Sequence, residues 1–241
     1  MKHSIKRVIS LLSLSIIFSS CFPEEEYPDY GSYLSFVTVN KAESDTEPSK
    51  IVLRDDSDRI LNVLEDPYLL LKALKPSQRA VVYFDPIDCD IMQPESIDVR
   101  LCQVDTCVFI SKTAFVETEK DLDSLGFDSF QVNESPYFPS ITSKYINLFI
   151  GTFGINPYLH KFTTAYVSES QNPSEPEKLY LHFCHNANKD TSGYQYWHWV
   201  SIPLEDFKHL FPEKDNLILK IRNLGAMDKT INFSLKDLPL E

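Results

Sequence analysis

The second half of this chain is a series of short apolar segments separated by turn-rich loops, and this pattern restricts the possible folds more than any other feature. Loops such as Glu169–Glu177 and Asn186–Gly193 are rich in residues that favour turns. Regularly spaced strands with turn signals between them are typical of an antiparallel β-sandwich. The six predicted strands are Tyr145–Ile155, His160–Ser168, Lys178–His185, Tyr194–Pro203, Asn216–Asn223 and Thr230–Leu235.

The first half contains shorter strand candidates and one helical turn. Ile97, Val99 and Leu101 alternate with polar residues, which is the signature of a half-buried strand. Asp66 and Pro67 are suited to begin the helical turn, because aspartate accepts bonds from unpaired amides and proline fits the first helical position. Short strands with one turn of helix predict a small OB-like barrel. The predicted segments are Ser32–Val39, Ile51–Leu53, Ile60–Leu61, Tyr68–Leu74 (the helical turn), Gln78–Phe84, Ile97–Leu101 and Val108–Ile110.

The predicted fold class is therefore all-β, an N-terminal OB-like small barrel followed by a C-terminal antiparallel β-sandwich. We place the domain boundary before Thr118–Ser140, an acidic, serine-rich segment that contains proline. We assign residues 1–20 to a signal peptide, 21–31 to an acidic tether, 32–115 to the OB-like domain and 116–241 to the β-sandwich domain.

The leader has the form of a bacterial lipoprotein signal. Lys2, Lys6 and Arg7 precede the apolar stretch Val8–Phe18, and two small serines lead to Cys21. A membrane-spanning helix needs roughly 20 apolar residues, so this stretch is too short to remain as an anchor. The sequence predicts that Cys21 is acylated and that the mature protein contacts a membrane through this lipid. Ordinary secretion with an incidental cysteine is the alternative.

Three consecutive glutamates follow Cys21 almost immediately. Glu24–Glu26 resembles the acidic tag that directs lipoproteins of some anaerobic Gram-negative bacteria to the outer face of the outer membrane. We therefore expect a lipid-anchored outer-membrane protein at the cell surface. A periplasmic-facing position, with the glutamates as a solvated tether, is the alternative.

The charge of the chain argues against nucleic acid as a partner. The formal net charge is -12, and loss of the three basic leader residues would make the mature protein more acidic still. Such a protein repels phosphate backbones and bare anionic lipid headgroups.

Four cysteines follow Cys21, and their pairing cannot be read from the sequence. An exported protein occupies a compartment where disulfides form, and four cysteines allow three complete pairings. Cys102 and Cys107 are close enough to meet across a tight bend, with free thiols as the equal alternative. Cys184 lies within an apolar strand and is expected to behave as a small hydrophobe. Cys89 is the fourth cysteine.

The sequence contains no arrangement that indicates catalysis, a cofactor or a metal. It has no Gly-x-Ser-x-Gly motif and no glycine-rich phosphate loop. On a strand, His182 and Cys184 would share one face while His185 points to the other. Two ligands do not make a zinc site, which normally needs three or four. We expect a structural role for these residues and no enzymatic activity.

An aromatic run in the fourth strand of the second half is the best candidate for ligand binding. Period-two alternation places Tyr194, Tyr196 and His198 on one face and Trp197 and Trp199 on the other. One set should pack in the core, and the other could stack on a sugar ring. The alternative is that both sets are buried, because large aromatic side chains are common in cores.

Several segments, in this order, resemble the NigD-like lipoproteins. They are Tyr33–Val39, Ile51–Asp56, Gln78–Phe84, Tyr145–Leu148 and Leu179–Asn186. The resemblance covers nearly the whole mature chain. It implies an N-terminal OB-like domain and a C-terminal β-sandwich on a lipid anchor, without enzymatic activity.

These observations favour a non-enzymatic, lipid-anchored accessory protein of the cell envelope that binds a partner protein or acts structurally. The alternative is a surface lipoprotein that binds carbohydrate through the aromatic run or the barrel face. Asp123, Ser124 and Leu125 also match a short O-glycosylation motif, although a plain turn explains them as well.

Overall fold

A computed structural model describes residues 31–41, 51–87, 95–135, 138–222, 229–236 and 238. The predicted signal peptide, Cys21, Glu24–Glu26, Cys89 and nearly all of the tether lie outside these residues. The described part is all-β, with a closed barrel followed by two further sheets. The predicted fold class is thus confirmed.

Five strands form the barrel, in the order β1-β2-β3-β5-β4 before closing on β1. They are β1 (Tyr33–Lys41), β2 (Ile51–Asp55), β3 (Ile60–Glu65), β4 (Arg79–Pro86) and β5 (Ser96–Asp105). The pair β3–β5 is parallel and the other pairs are antiparallel. Their alternate apolar side chains point inward, and Val37, Val82 and Val99 are completely buried.

A short 3-10 helix, Leu70–Ala73, connects β3 to β4 in the barrel. Asp66 organises its start, because its carboxylate accepts hydrogen bonds from the amides of Leu70 at 2.7 Å and Leu71 at 3.0 Å. The sequence predicted a helical turn here for this reason, and the structure contains one.

Two five-stranded sheets form the sandwich. The first contains β6 (Val108–Ile110), β8 (Gln131–Val132), β9 (Ser140–Ile141), β10 (Tyr145–Gly154) and β13 (Tyr194–Pro203). The second contains β7 (Lys112–Val116), β11 (Lys161–Val167), β12 (Lys178–Asn186), β14 (Asn216–Ile221) and β15 (Lys229–Ser234). Further 3-10 helices are Glu119–Ser124, Pro157–Leu159 and Glu205–Leu210. The two inner faces pack together around Leu148, Phe183 and Ile202.

The sandwich differs from the prediction in strand direction. Three of its pairs are parallel, namely β6–β13, β7–β11 and β12–β14, while the remaining pairs are antiparallel. A period-two pattern shows that a segment is a strand but contains no information about the direction of its neighbour. The sheets are therefore mixed.

The strands β6 and β7 belong to the sandwich, whereas the sequence placed residues 108–115 in the barrel domain. β6 pairs with β13, and β7 pairs with β11 in the other sheet. Ser111 lies between them and contacts both sheets. Its amide donates to the Ser201 carbonyl at 2.9 Å, and its hydroxyl lies 2.8 Å from that of Thr164. The predicted boundary between residues 115 and 116 consequently falls inside β7.

A buried network of polar side chains joins the barrel to the sandwich. The guanidinium of Arg79 binds both carboxylate oxygens of Asp56, at 2.8 and 2.9 Å, and both side chains are almost completely buried. Arg79 Nε also donates to Ser201 Oγ at 3.0 Å, and Asn147 Nδ2 donates to Asp56 at 2.8 Å. Arg79 and Asp56 come from the barrel, and their partners come from β10 and β13. We call these four side chains the Arg79 network.

Aromatic side chains surround the Arg79 network. The Tyr145 ring lies 3.7 Å from the guanidinium carbon of Arg79, within the range of a cation–π contact. Phe36 of the barrel packs edge-on against Trp199 of the sandwich, with ring centroids 5.5 Å apart. Polar and apolar contacts together therefore fix one domain against the other.

Candidate functional site

The structure divides the aromatic run of β13 among three environments. Trp199 is 7 % exposed and packs against Phe36 at the domain interface. His198 is buried inside the sandwich, and Tyr196 is half-buried. The exposed members are Trp197 (43 %) and Tyr194 (76 %). The five predicted ligand-binding residues thus do not form one surface.

Trp197 belongs to a row of stacked rings on the outer face of the first sheet. Its ring stacks on Phe149 with a centroid distance of 5.2 Å, and Phe149 stacks on Trp199 at 4.2 Å. Gly151 pairs with Trp197 across the strands, and its missing side chain leaves room for the indole. The Gln195 amide donates to Gln131 beside this row. We call Trp197, Phe149, Gln131 and Gln195 the outer platform.

Exposed apolar side chains also lie at one end of the sandwich, on the adjoining ends of β10 and β13 and on the segment that follows β10. Ile155 is 71 % exposed, Tyr158 is 75 % exposed, and Leu159 and Phe153 are each about half exposed. Tyr194 lies opposite Gly154 in the strand register, which brings it to the same end. We call these five side chains the end patch. Of the five, only Tyr194 was predicted from the sequence, although apolar residues on both sides of Asn156 and Pro157 are unusual for a solvated loop.

Hydrogen bonds hold the loops that carry the end patch. The Asp190 carboxylate accepts from the amide of Ile155 at 2.8 and 3.0 Å and from that of Asn156 at 2.7 Å. The Tyr196 hydroxyl donates to the Ile155 carbonyl, and the Asn188 side chain donates to the Leu159 carbonyl. These hydrogen bonds therefore hold in place the backbone that carries the end patch.

Three histidines are buried beneath these loops. His160 Nδ1 lies 2.9 Å from His185 Nε2, and His198 Nε2 lies 2.7 Å from the hydroxyl of Thr152. Burial lowers the pKa values of His185 and His198 to about 4. Burial also lowers the pKa of His160, against the opposing effect of Asp190. These histidines are neutral at physiological pH.

Within the described ranges, no group of three or more His, Cys, Asp or Glu side chains is arranged to hold a metal ion. His182 and Cys184 lie on the outer face of β12, as alternation predicts, and His185 lies on the inner face. Cys184 packs under Leu122 and Ala165, and burial raises the pKa of its thiol to about 11. This thiol is therefore not an activated nucleophile.

The other sequence candidates occupy ordinary structural positions. Cys107 and Cys184 are free thiols, so no bridge joins Cys102 to Cys107. Ser124 ends a 3-10 helix, is exposed, and donates a hydrogen bond to the Asp121 carbonyl at 2.8 Å. None of the helices in the described residues is both long and apolar enough to cross a bilayer.

A groove of about 620 Å³ lies where the barrel meets the sandwich. Phe36 and Phe138 contribute apolar walls, and Asn147 of the Arg79 network also lines it. Gly31, the first described residue, lies at the same groove. The N-terminal end of the described residues 31–41 thus lies close to the domain interface.

The architecture defines a class of two-module all-β proteins, in which a closed barrel is fixed to a mixed β-sandwich. Residues 112–235, just over half of the chain, match the NigD-like C-terminal beta sandwich domain. The chain belongs to the NigD-like family.

Solved structures show the same fold at low sequence identity. A protein of unknown function from Bacteroides vulgatus aligns over 83 % of this chain and 89 % of its own, with a TM-score of 0.63 and 19 % identity. A candidate lipoprotein from Bacteroides fragilis covers 85 % and 98 %, with a TM-score of 0.59 and 12 % identity. A NigD-like immunity protein from Bacteroides caccae covers 86 % and 94 %, with a TM-score of 0.51 and 16 % identity. A search of curated proteins finds no match.

Proposed function

We propose that this chain is a non-enzymatic, lipid-anchored protein of the cell envelope that binds a partner protein through the end patch. The observation that carries the proposal is the group of exposed apolar side chains at one end of the sandwich, where Asp190 holds the backbone of Ile155 and Asn156 by hydrogen bonds. Exposed apolar surface of this kind marks interaction sites in soluble domains.

The composition of the end patch favours a protein over a small molecule. Ile155, Leu159 and three aromatic residues form it, and aromatic side chains are enriched at the centres of protein interfaces. The strongly acidic chain would attract a partner with a basic surface around an apolar centre. The name of the Bacteroides caccae neighbour, an immunity protein, also supports a protein partner.

The position of the end patch suits a protein anchored through Cys21. Asn147 and Gly31 line the same groove, and Ile155, which directly follows β10, lies eight residues beyond Asn147. At about 3.3 Å per residue, the end patch is about 26 Å from that groove. We propose that an anchor upstream of Gly31 holds the groove nearer to the membrane than the end patch. We propose that the membrane is the outer membrane and that the end patch faces the cell exterior.

The anchor is tested by replacing the acylated sulfur. We expect Cys21→Ser to move the protein from the membrane fraction to the soluble fraction, and external protease to digest the wild type in intact cells. Unchanged membrane partition of Cys21→Ser would contradict lipid anchoring. Resistance of the wild type to protease would contradict surface display and favour the periplasmic face.

The end patch is tested with a partner captured from detergent-solubilised membranes, then purified for affinity measurements. The double variant Ile155→Ser/Tyr158→Ser should weaken binding by about tenfold or more, because each residue is placed as an interface anchor. Leu64→Ser is the control, since Leu64 is 57 % exposed but lies on the barrel strand β3. Equal affinities for the wild type and the double variant would refute the proposal.

The outer platform supports glycan binding as a second candidate. Trp197 offers an exposed indole face beside two amide side chains, a combination that can stack on a sugar ring and bind its hydroxyls. Trp197→Ala should then abolish retention on immobilised glycans, whereas Tyr68→Ala, which removes an exposed barrel ring, should not. Absence of glycan retention by the wild type would eliminate this candidate.

A further inference from the structure

A chain of hydrogen-bonding groups runs through the buried histidines to the loops of the end patch. His185 Nδ1 lies 3.1 Å from the carbonyl oxygen of Asp128, and His185 Nε2 lies 2.9 Å from His160 Nδ1. At the other end, His160 Nε2 lies 3.6 Å from an Asp190 carboxylate oxygen. Asp190 is also the residue that accepts hydrogen bonds from the loop amides of Ile155 and Asn156.

These contacts determine which nitrogen of each ring carries a proton. A carbonyl oxygen only accepts, so His185 Nδ1 must donate to Asp128. Neutral His185 then has an unprotonated Nε2, which accepts from His160 Nδ1. Neutral His160 is left with an unprotonated Nε2 that faces the Asp190 carboxylate. Two acceptors face each other there, which accounts for a separation longer than a hydrogen bond.

The pair of His160 and Asp190 can hold a proton, but two side chains are too few ligands for a metal ion. A Cβ atom on Gly154 would lie 2.7 Å from His160 Nε2 and 2.7 Å from Asp190 Oδ2, so any residue other than glycine at this position would intrude on the pair. Both side chains are almost inaccessible to solvent. His160 Nε2 makes no hydrogen bond within the described residues, and a proton there would convert the contact into an ion pair.

His160 is the histidine in the group best placed to accept this proton. The titratable groups packed around it are His185, His198, Asp190 and Asp128. Asp190 faces the open nitrogen of His160 directly. In the other two histidines, Nε2 faces a different group: His185 Nε2 faces the ring nitrogen Nδ1 of His160, and His198 Nε2 faces the hydroxyl of Thr152. Of the three, only His160 gains a carboxylate partner when it is protonated.

We propose that the His160–Asp190 pair is a proton-binding site that regulates the end patch. When His160 Nε2 takes up a proton, the Asp190 carboxylate forms an ion pair with it. Asp190 is then held more firmly, and so is the backbone of Ile155 and Asn156 that is hydrogen-bonded to it. The end patch is then more ordered in mildly acidic solution, so binding loses less conformational entropy. This regulatory role depends on the function proposed for the end patch, whereas the proton site itself does not.

The proton site is tested by NMR on the full-length protein. At about pH 7.5, which lies above an ordinary histidine pKa, His160 should be the tautomer protonated at Nδ1. On acidification it should titrate before His185 and His198. Asp190→Asn keeps an acceptor for the loop amides but removes the charge, so it should delay protonation of His160 to lower pH. The control Asp206→Asn alters an exposed carboxylate on another helix and should leave that titration unchanged.

The effect on the loops is tested by amide hydrogen exchange corrected for intrinsic rates. Protection of the Ile155 and Asn156 amides against exchange should rise about fivefold between about pH 7.5 and pH 5.5. A factor of about five is the lower end of ordinary coupling between two sites. Asp190→Asn should abolish that rise. A proton on His160 Nε2 at neutral pH, titration of His160 after the other two histidines, or pH-independent protection in the wild type would each overturn the inference.

A final measurement separates this inference from the proposed function. If the purified partner binds through the end patch, its affinity should increase on acidification for the wild type but not for Asp190→Asn. A partner whose affinity is insensitive to Ile155→Ser/Tyr158→Ser contradicts the proposed function and leaves the NMR result standing. A patch-dependent partner with no pH response contradicts the regulation.

Discussion

Replacing Arg79 by methionine should be among the most destabilising single changes in this protein. The substitution keeps much of the aliphatic volume but removes both hydrogen bonds to Asp56 and the bond to Ser201. The Asp56 carboxylate, almost completely buried, would then retain only the amide of Asn147 among its network partners. Removing one partner of a buried ion pair costs about 3–5 kcal/mol, because the remaining charge is left uncompensated.

Urea unfolding followed by tryptophan fluorescence measures this loss directly. Trp197 and Trp199 are the two tryptophans of the chain, and Trp199 packs on the barrel, so its emission reports domain separation. With a slope of about 2 kcal/mol per molar urea, the midpoint should fall by about 1.5–2.5 M. The control Lys208→Met removes an exposed ion pair with Glu205 and should cost less than about 1 kcal/mol.

The double variant Arg79→Met/Asp56→Leu distinguishes two causes of the lost stability: an uncompensated Asp56 carboxylate and poorer packing. It removes both charges, so it should recover part of the stability lost in Arg79→Met. A loss for Arg79→Met no larger than that for Lys208→Met would refute the reasoning. A double variant less stable than Arg79→Met would show that packing, and not the uncompensated carboxylate, dominates.

Three further predictions concern the sandwich domain. His185 and His198 have pKa values of about 4 in the folded protein and 6.5 when unfolded, so the unfolded state binds their protons first as the pH falls. The free energy of unfolding should therefore be full above pH 6.5 and fall by about 1.4 kcal/mol per pH unit per histidine between pH 6.5 and 4. Urea titrations at stepped pH should show a shallower slope for His198→Gln. Gly193 has a φ of +142°, and a Cβ there would lie 2.2 Å from the Gly154 carbonyl oxygen, so Gly193→Ala should cost about 2 kcal/mol or more in thermal unfolding. Cys184 should react with a maleimide only after unfolding, as mass spectrometry would show, since its thiol is buried and its pKa is raised.

Most strands could be predicted from the sequence because burial of one strand face imposes an alternating apolar pattern. Ile97, Val99 and Leu101 alternate since one face of β5 lines the barrel, and that signal is local. The assignment of Val108–Ile110 to the barrel was wrong because a three-residue apolar strand can pair with any nearby edge. Its partner, β13, lies about ninety residues later in the chain. Long-range pairing of this kind leaves no trace in a single sequence.

The candidate sites were predictable only in part. Alternation correctly separated Trp197 and Trp199 from His198, but it could not show that the barrel would cover Trp199 and leave Trp197 exposed. His160 and His185 come from either side of the β11–β12 pair, where Phe162 lies opposite His185. Their contact therefore depends on the strand register, which the sequence did not provide.

The longest strand pair of the sandwich connects the domain interface to the end patch. β10 and β13 are paired along ten consecutive positions, from Tyr145 opposite Pro203 to Gly154 opposite Tyr194. Asn147 and Ser201 of the Arg79 network lie near the first of these ends, and the end patch lies at the second. Charge-assisted hydrogen bonds from Arg79 to Ser201 and from Asn147 to Asp56 cross the domain interface, and these buried bonds limit rocking of the barrel more than exposed contacts would. The barrel and this strand pair therefore form one support, and a partner bound as proposed would meet the end patch at a fixed distance from Gly31, the first described residue.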